Sequence, residues 1–369
     1  MPLDDLFAES QRQLNICNSC RYCAGYCPVW PALELRTELA TKDVIHLANL
    51  CHDCQDCFTA CMYAPPHVFA INPPALFAAL REVTYADYVW MPRPLRSRAG
   101  RVLTIVMLVL ACLLLAALTV TTGDRELMST AGVHSPYEAI PHTLLIIVMA
   151  IPFLTTSMVM LRAAWLYWRD IGGSAQGLLD IRAWGRTLFL SATLRHQTGG
   201  AEGCSYPDGE PSVTRKGSHQ FVAYGFLLTA VSTVSAWLLQ TFLDSYPPYP
   251  LLSVPVLTGT VGGVMASFGC VVLLILKRRG SLSETTPQMR RADVALLWAL
   301  LVVMVTGLLV LALRASSWFA PVLVVHLGAV MASFTVAPYT KFFHWVYRVL
   351  SIQFNVIEEG TRQELSSTR

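Results

Sequence analysis

The chain has 369 residues, of which 54% are hydrophobic and only 14% charged. Soluble domains carry about 25% charged residues, so an ordinary soluble globular protein is excluded and a membrane protein is indicated. The net charge of +3 says little by itself; the expected partner surface is membrane lipid, and no nucleic acid is expected.

The chain starts with the acidic, polar stretch MPLDDLFAESQRQ, which lacks the basic and apolar regions of a signal peptide. Two matching cysteine runs follow, Cys17-x2-Cys20-x2-Cys23-x3-Cys27-Pro28 and Cys51-x2-Cys54-x2-Cys57-x3-Cys61. This is the ligand spacing of a bacterial two-cluster ferredoxin, in which the fourth cysteine of each run ligates the other cluster. Cluster one would take Cys17, Cys20, Cys23 and Cys61; cluster two would take Cys51, Cys54, Cys57 and Cys27. Structural zinc prefers two well-separated pairs, and a disulfide framework needs an exported segment. Both fit less well than two 4Fe–4S clusters.

Between the runs, residues 33–50 place Leu39, Ile45, Leu47 and Leu50 at helical spacing, and few β-branched runs occur anywhere in 1–90. The first 90 residues are therefore expected to form a cytosolic, α-helical dicluster ferredoxin domain. A basic linker, 91–101, carries Arg93, Arg96, Arg98 and Arg101, which would hold the N-terminus inside. Six apolar stretches follow at 102–122, 140–168, 219–243, 251–276, 292–314 and 319–348, each long enough to cross a bilayer at ~20 residues per span. The spacing predicts an all-α protein with a six-helix transmembrane bundle over 102–348 and a cytosolic tail over 349–369.

The loop charges give a direction. The two inner loops carry Arg169, Arg182, Arg186, Arg195, Arg215 and Lys216, then Lys277, Arg278, Arg279, Arg290 and Arg291, against only Arg125 and Arg314 outside. That asymmetry predicts a multi-pass protein of the bacterial inner membrane with both termini cytoplasmic. In the inner loop 169–218, Leu178, Ile181, Trp184 and Leu188 share one side of an expected interfacial helix. The glycine- and proline-rich part that follows contains Cys204, read as an unligated thiol. Cys112 and Cys270 lie in apolar helices and read as small hydrophobes.

His142, His219, His326 and His344 lie in or at the ends of apolar stretches. His326 and His344 are eighteen residues apart on the last expected helix, which is five turns and roughly 27 Å along one face. That separation suits two sites at different depths. His219 is level with His344 at the inner end, and His142 with His326 at the outer end. Paired imidazoles from different helices are the ligands of b-type haem, so His219 and His344 are expected to hold an inner haem. His142 and His326 are candidates for an outer one. Lys341 and Arg348 flank His344 and are candidate contacts for haem propionates. His46, His52, His67, His134 and His196 have no such pairing from the sequence, though His52 and His67 adjoin cluster ligands.

The segments ICNSCRYCAGYCPVWPALELR, LANLCHDCQDCFTACMYAPPHVFAINPP and GGAEGCSYPDGEPSVTRKGSHQFVAYGF, with the six-span arrangement, resemble the tricarballylate-utilisation protein B family, also called citrate-utilisation protein B. The resemblance covers nearly the whole chain. It implies two 4Fe–4S clusters on the eight cysteines, b-type haem, and a partner FAD-dependent tricarballylate dehydrogenase whose electrons pass into the membrane. The last stretch, HLGAVMASFTVAPYTKFFHWVYR, is also similar to the final helix of the respiratory nitrate reductase gamma subunit, a dihaem quinol oxidase. There the partner helix carries two ligating histidines ten residues apart; here His219 matches the first and Thr229 stands at the second.

The function expected from these residues and resemblances is that of an oxidoreductase component. It would reoxidise the reduced flavin of the partner through two clusters and haem, with membrane quinone as acceptor. Two alternatives are the redox module of a flavohaem precorrin-ring monooxygenase in cobalamin synthesis and a heterodisulfide-reductase-like electron-transfer subunit. No GxGxxG fingerprint follows a strand, so substrate chemistry is expected to reside in the partner.

Overall fold

A computed structural model describes residues 3–89, 108–111, 114–115, 135–197, 203–280 and 285–367. The chain is all-α: among the described residues no strand forms, and an isolated bridge pairs Cys204 with Ser212.

The cysteine-bearing unit is built from α1 (Leu3–Cys20), α2 (Val29–Glu34), α3 (Thr41–Leu50), α4 (Asp56–Thr59) and α5 (Pro73–Tyr88). Helix α3 starts where the Asp43 carboxylate accepts from the Ala40 amide at 3.0 Å. Helix α5 starts where Asn72 accepts from the Ala75 amide at 3.2 Å, with Pro73 and Pro74 in the first turn. The helical pattern of 33–50 is thus split by a turn after Glu34. Leu14, Leu33, Leu47, Leu50, Phe77 and Leu80 form the core between these helices.

The remaining elements are α6 (Pro136–Ala139), α7 (His142–Asp170), α8 (Ala175–Leu179), α9 (Ile181–Thr193), α10 (Thr214–Leu243), α11 (Val254–Arg279), α12 (Pro287–Ala312), α13 (Phe319–Val336) and α14 (His344–Ser367). Among the described residues five helical stretches, four of them α7, α10, α11 and α12 and the fifth spanning Phe319–Tyr339, are long and apolar enough to cross a membrane. They expose Leu154, Leu161, Trp237 and Phe268 outward, as a lipid-facing bundle does. The expected basic linker 91–101, His134 and nearly all of the expected first span, 102–122, lie outside the described residues. Helices α10 and α11 pack at backbone distance: a Cβ at Gly225 would fall 2.6 Å from the Ala266 nitrogen, and one at Gly269 would fall 2.6 Å from the Ser218 carbonyl. Small residues permit this approach, and it sets the place of His219, next to Ser218.

Three expectations change. The last apolar stretch is not one helix. Pro338, which has no amide hydrogen and clashes with the preceding turn, ends α13; two 3-10 turns, Ala337–Tyr339 and Lys341–Phe343, flank an extended Thr340 before α14 begins at His344. His326 and His344 therefore sit on different helices, and the shared face and 27 Å separation expected along one helix do not apply. The interfacial helix is likewise two pieces. Asp180 accepts from the amides of Arg182 and Ala183, both at 3.0 Å, and starts α9 afresh. Ile181, Leu188 and Phe189 are exposed on it, an apolar set suited to a membrane surface.

The third change concerns residues 349–369. Through Ser367 they continue α14, and Ile352 and Val356 join the core of the cysteine-bearing unit. The buried guanidinium of Arg36 binds Glu358 at 2.7 and 2.9 Å and Asp43 at 3.2 Å. Arg36→Met strands both carboxylates. Breaking a buried pair costs 3–5 kcal/mol; with Glu358 part-exposed, about 2 kcal/mol is expected. Thermal unfolding of the purified variant should show a lower midpoint at unchanged iron content, and an unchanged midpoint would remove the pair from the account.

Candidate functional site

The end of α1 carries Cys17 and Cys20, and Arg21 then turns left-handed (φ 55°) to bring Cys23 back. After Cys51, Asp53 (φ 58°) and Gln55 (φ 71°) adopt the same uncommon conformation, which folds the second run around its own sulfurs. The Asp53 amide lies 3.3 Å from Cys51 Sγ. The structure brings Cys17, Cys20, Cys23 and Cys61 to one pocket of about 550 Å³, counting its open mouth, where Trp30 and Leu33 also line the wall. It brings Cys27, Cys51, Cys54 and Cys57 to a second of about 340 Å³. Cys57 lines both. Cys20 is exposed, whereas Cys51 and Cys54 are buried.

Burial, then the charges of Cys61, Cys23 and Cys20, push the Cys17 thiol up to about 12. Burial followed by Cys61 and Cys20 pushes Cys23 to about 11. Burial and their cysteine neighbours also push Cys54 and Cys57 well above the usual thiol range. These groups can share their pockets as thiolates only when a cation replaces their protons. Among the described residues no three His, Cys, Asp or Glu side chains are gathered tightly enough for a single metal ion. Four soft sulfur donors spread around each pocket fit a 4Fe–4S cluster, whose thiolates stand farther apart than those of one zinc ion.

A loop from α10's side closes over the second pocket. Cys204 and Ser212 exchange backbone hydrogen bonds of 2.9 and 3.0 Å. The Cys204 thiol donates to the Cys54 carbonyl at 3.1 Å, and the Ser205 amide donates to Asp56 at 2.7 Å. Arg215 donates to the Asp53 carbonyl and faces the Tyr206 ring at 4.8 Å. Cys204 thus braces the second pocket by a hydrogen bond to Cys54.

His219, in the second turn of α10, faces His344, the first residue of α14. Their ring centroids are 6.1 Å apart and their planes 89° to one another. Two imidazoles bound on opposite sides of one iron stand roughly 6 Å apart, from metal–nitrogen distances of about 2 Å. His344 Nδ1 lies 2.6 Å from the Lys341 carbonyl, a contact that makes Nδ1 the protonated nitrogen and leaves Nε2 as donor. His219 Nδ1 is buried and has no hydrogen-bond partner. The pair fits an axial ligand set for haem.

Other expected contacts are arranged differently. Lys341 is 2.5 Å from Asp293, which also binds Lys277 at 2.6 Å. Arg348 donates to the Cys51 carbonyl at 2.6 Å; Arg81 reaches the same carbonyl at 3.0 Å. Both expected propionate contacts therefore have protein partners. His142 is exposed and stacks edge-on against Tyr137 at 4.5 Å, while His326 Nδ1 is 3.0 Å from the Thr306 hydroxyl. No ring contact joins His142 and His326 among the described residues. Thr229, standing where a second histidine was compared, donates to its own helix at Phe226.

The sequence reading passed over a second histidine pair. His52 and His196 lie with ring centroids 5.8 Å apart and planes at 74°. Only the adjacency of His52 to Cys51 hinted at a role, because nothing local announces His196.

No solved structure matches. A protein of Escherichia coli described as Citrate utilization protein B is 34% identical over 355 residues, covering 95% of this chain and 92% of that protein. Residues 10–87 match the Citrate utilization protein B Fer4-like domain, and residues 96–364 match the Citrate utilization protein B family. With a Fer4-like cysteine domain set on a bundle of membrane helices, this chain belongs to the citrate utilization protein B family.

Proposed function

We propose that the protein is an electron-transfer component of the bacterial cytoplasmic membrane that reoxidises the reduced FAD of a partner dehydrogenase of tricarballylate type and delivers the electrons to quinone. The observation that supports this most is the graded burial of the donor groups. The first cysteine pocket opens to solvent at Cys20, the second shares Cys57 with it and keeps Cys51 and Cys54 buried, and His52, beside Cys51, leads on toward His196.

Cys17, Cys20, Cys23 and Cys61 would hold one 4Fe–4S cluster, Cys27, Cys51, Cys54 and Cys57 the other, and His219 with His344 a b-type haem. When bound, these groups supply one-electron carriers between a two-electron flavin and a two-electron quinone. The chain's own residues do the rest. Cys20 and Cys61 border the open mouth that a flavoprotein would face. Arg81 and Arg348 place two guanidiniums on the Cys51 carbonyl, a positive setting that favours the reduced state of a cluster there. The His344–Lys341 contact holds the imidazole's orientation, and Leu276, Tyr206 and Cys204 pack against Cys54 and keep water out. The cysteine unit sits at the end of the bundle that carries Lys277, Arg278, Arg279, Arg290 and Arg291, which supports a cytoplasmic placement. A haem held by both His219 and His344 would have no open iron position, which favours electron transfer over the monooxygenase reading.

The test is reduction of a quinone analogue by purified protein in lipid nanodiscs, given an FAD-dependent tricarballylate dehydrogenase and its substrate. Quinone reduction that requires both proteins is the expected result. Reduction of the protein by dithionite but never by the flavoprotein would remove this partner.

A further inference from the structure

His52, which is buried, and His196, which is half-buried, bring two imidazoles together beside the second cysteine pocket. His52 is 5% exposed, and neither of its ring nitrogens has a hydrogen-bond partner. His196 stands in the 3-10 turn Arg195–Gln197 that follows α9, and its Nδ1 is also buried and unpartnered. Few buried nitrogens are left without partners in a settled core.

Several occupants can be weighed against the geometry. A direct imidazole–imidazole hydrogen bond is not made. A zinc ion needs four donors, and among the described residues no third His, Cys, Asp or Glu joins these two. An axial pair on one porphyrin iron needs two imidazoles only, facing each other at roughly 6 Å. The 5.8 Å and 74° of His52–His196 nearly repeat the 6.1 Å and 89° of His219–His344.

We infer that His52 and His196 are the axial ligands of a second b-type haem, set beside the buried cysteine pocket at the same end of the bundle as the His219–His344 pair. This rests on reading the latter pair as haem ligands. Ligand and cluster thiol would then be neighbours in the chain, since His52 follows Cys51. Both haems would lie at the cysteine-bearing end, and His142 and His326 would hold none.

The experiment is haem quantitation as pyridine haemochrome, with electron paramagnetic resonance of the oxidised protein, on wild type, His196→Gly, His196→Met and His219→Ala. His196 is half-buried on a turn, so these substitutions spare the core. Wild type should hold about two haems per chain, with two low-spin signals. His196→Gly should lose one signal, which added imidazole restores; His196→Met should move that signal to one of histidine–methionine ligation. A wild type with a single haem, or a His196→Gly protein that keeps both signals, overturns the second site. If His219→Ala loses haem while His196→Gly loses none, the proposed function stands and this inference fails. A wild type free of haem ends both.

Discussion

Alanine at position 219 is expected to remove the haem proposed between α10 and α14 and to leave the iron proposed for the cysteine pockets in place. His219 faces His344 across 6.1 Å, so the substitution deletes one of the two proposed axial donors without touching the core of the cysteine unit. The remaining donor, His344, stays oriented by its contact with the Lys341 carbonyl. A single imidazole gives a five-coordinate, weakly held iron, and detergent extraction should strip it. The expected readout is the loss of the low-spin spectrum belonging to this pair, with non-haem iron and acid-labile sulfide unchanged at about eight per chain. Electron delivery to quinone should fall, since the proposed carrier between α10 and α14 is then lost. His344→Ala should match it. An unaltered low-spin spectrum in both variants would sink the ligand assignment.

The second large effect separates the two cysteine pockets. Cys27 belongs to the first run by sequence, yet it lines the second pocket with Cys51, Cys54 and Cys57. Cys61 ends the second run, yet it lines the first. Cys27→Ala should therefore abolish the cluster of the second run, and Cys61→Ala that of the first. Each variant should lose about four irons and keep one reduced-cluster resonance signal. In Cys27→Ala the flavoprotein should still reduce the remaining cluster, while haem reduction stops. If Cys27→Ala instead destroyed the cluster of its own run, the crossed arrangement would be wrong.

The legible part of the site was the part written in local spacing. Turns of two and three residues between cysteines can wrap a cluster whatever the rest of the chain does, so the eight thiols and an all-α cysteine domain could be read directly. The apolar stretches were equally plain, because a span's hydropathy is a property of consecutive residues. His219 and His344 could be matched from the ends of those stretches. Lys341 could not be placed, because Asp293, its partner, comes from a separate helix.

What the sequence alone determined, then, was chemistry set by short separations: soft donors in two runs, and helices apolar enough for lipid. The tertiary structure decided what depends on distant residues meeting. Pro338 breaks the last stretch, and the sequence pattern of apolar residues runs through it unchanged because hydropathy is blind to a missing amide hydrogen. Residues beyond 349 are held in the core of the cysteine unit through Ile352, Val356 and the Arg36–Glu358 pair, contacts across more than three hundred positions. His52 and His196 become a pair only because the turn after α9 is folded back over the cysteine unit. Neither carries a local pattern, and their nearness is a consequence of packing.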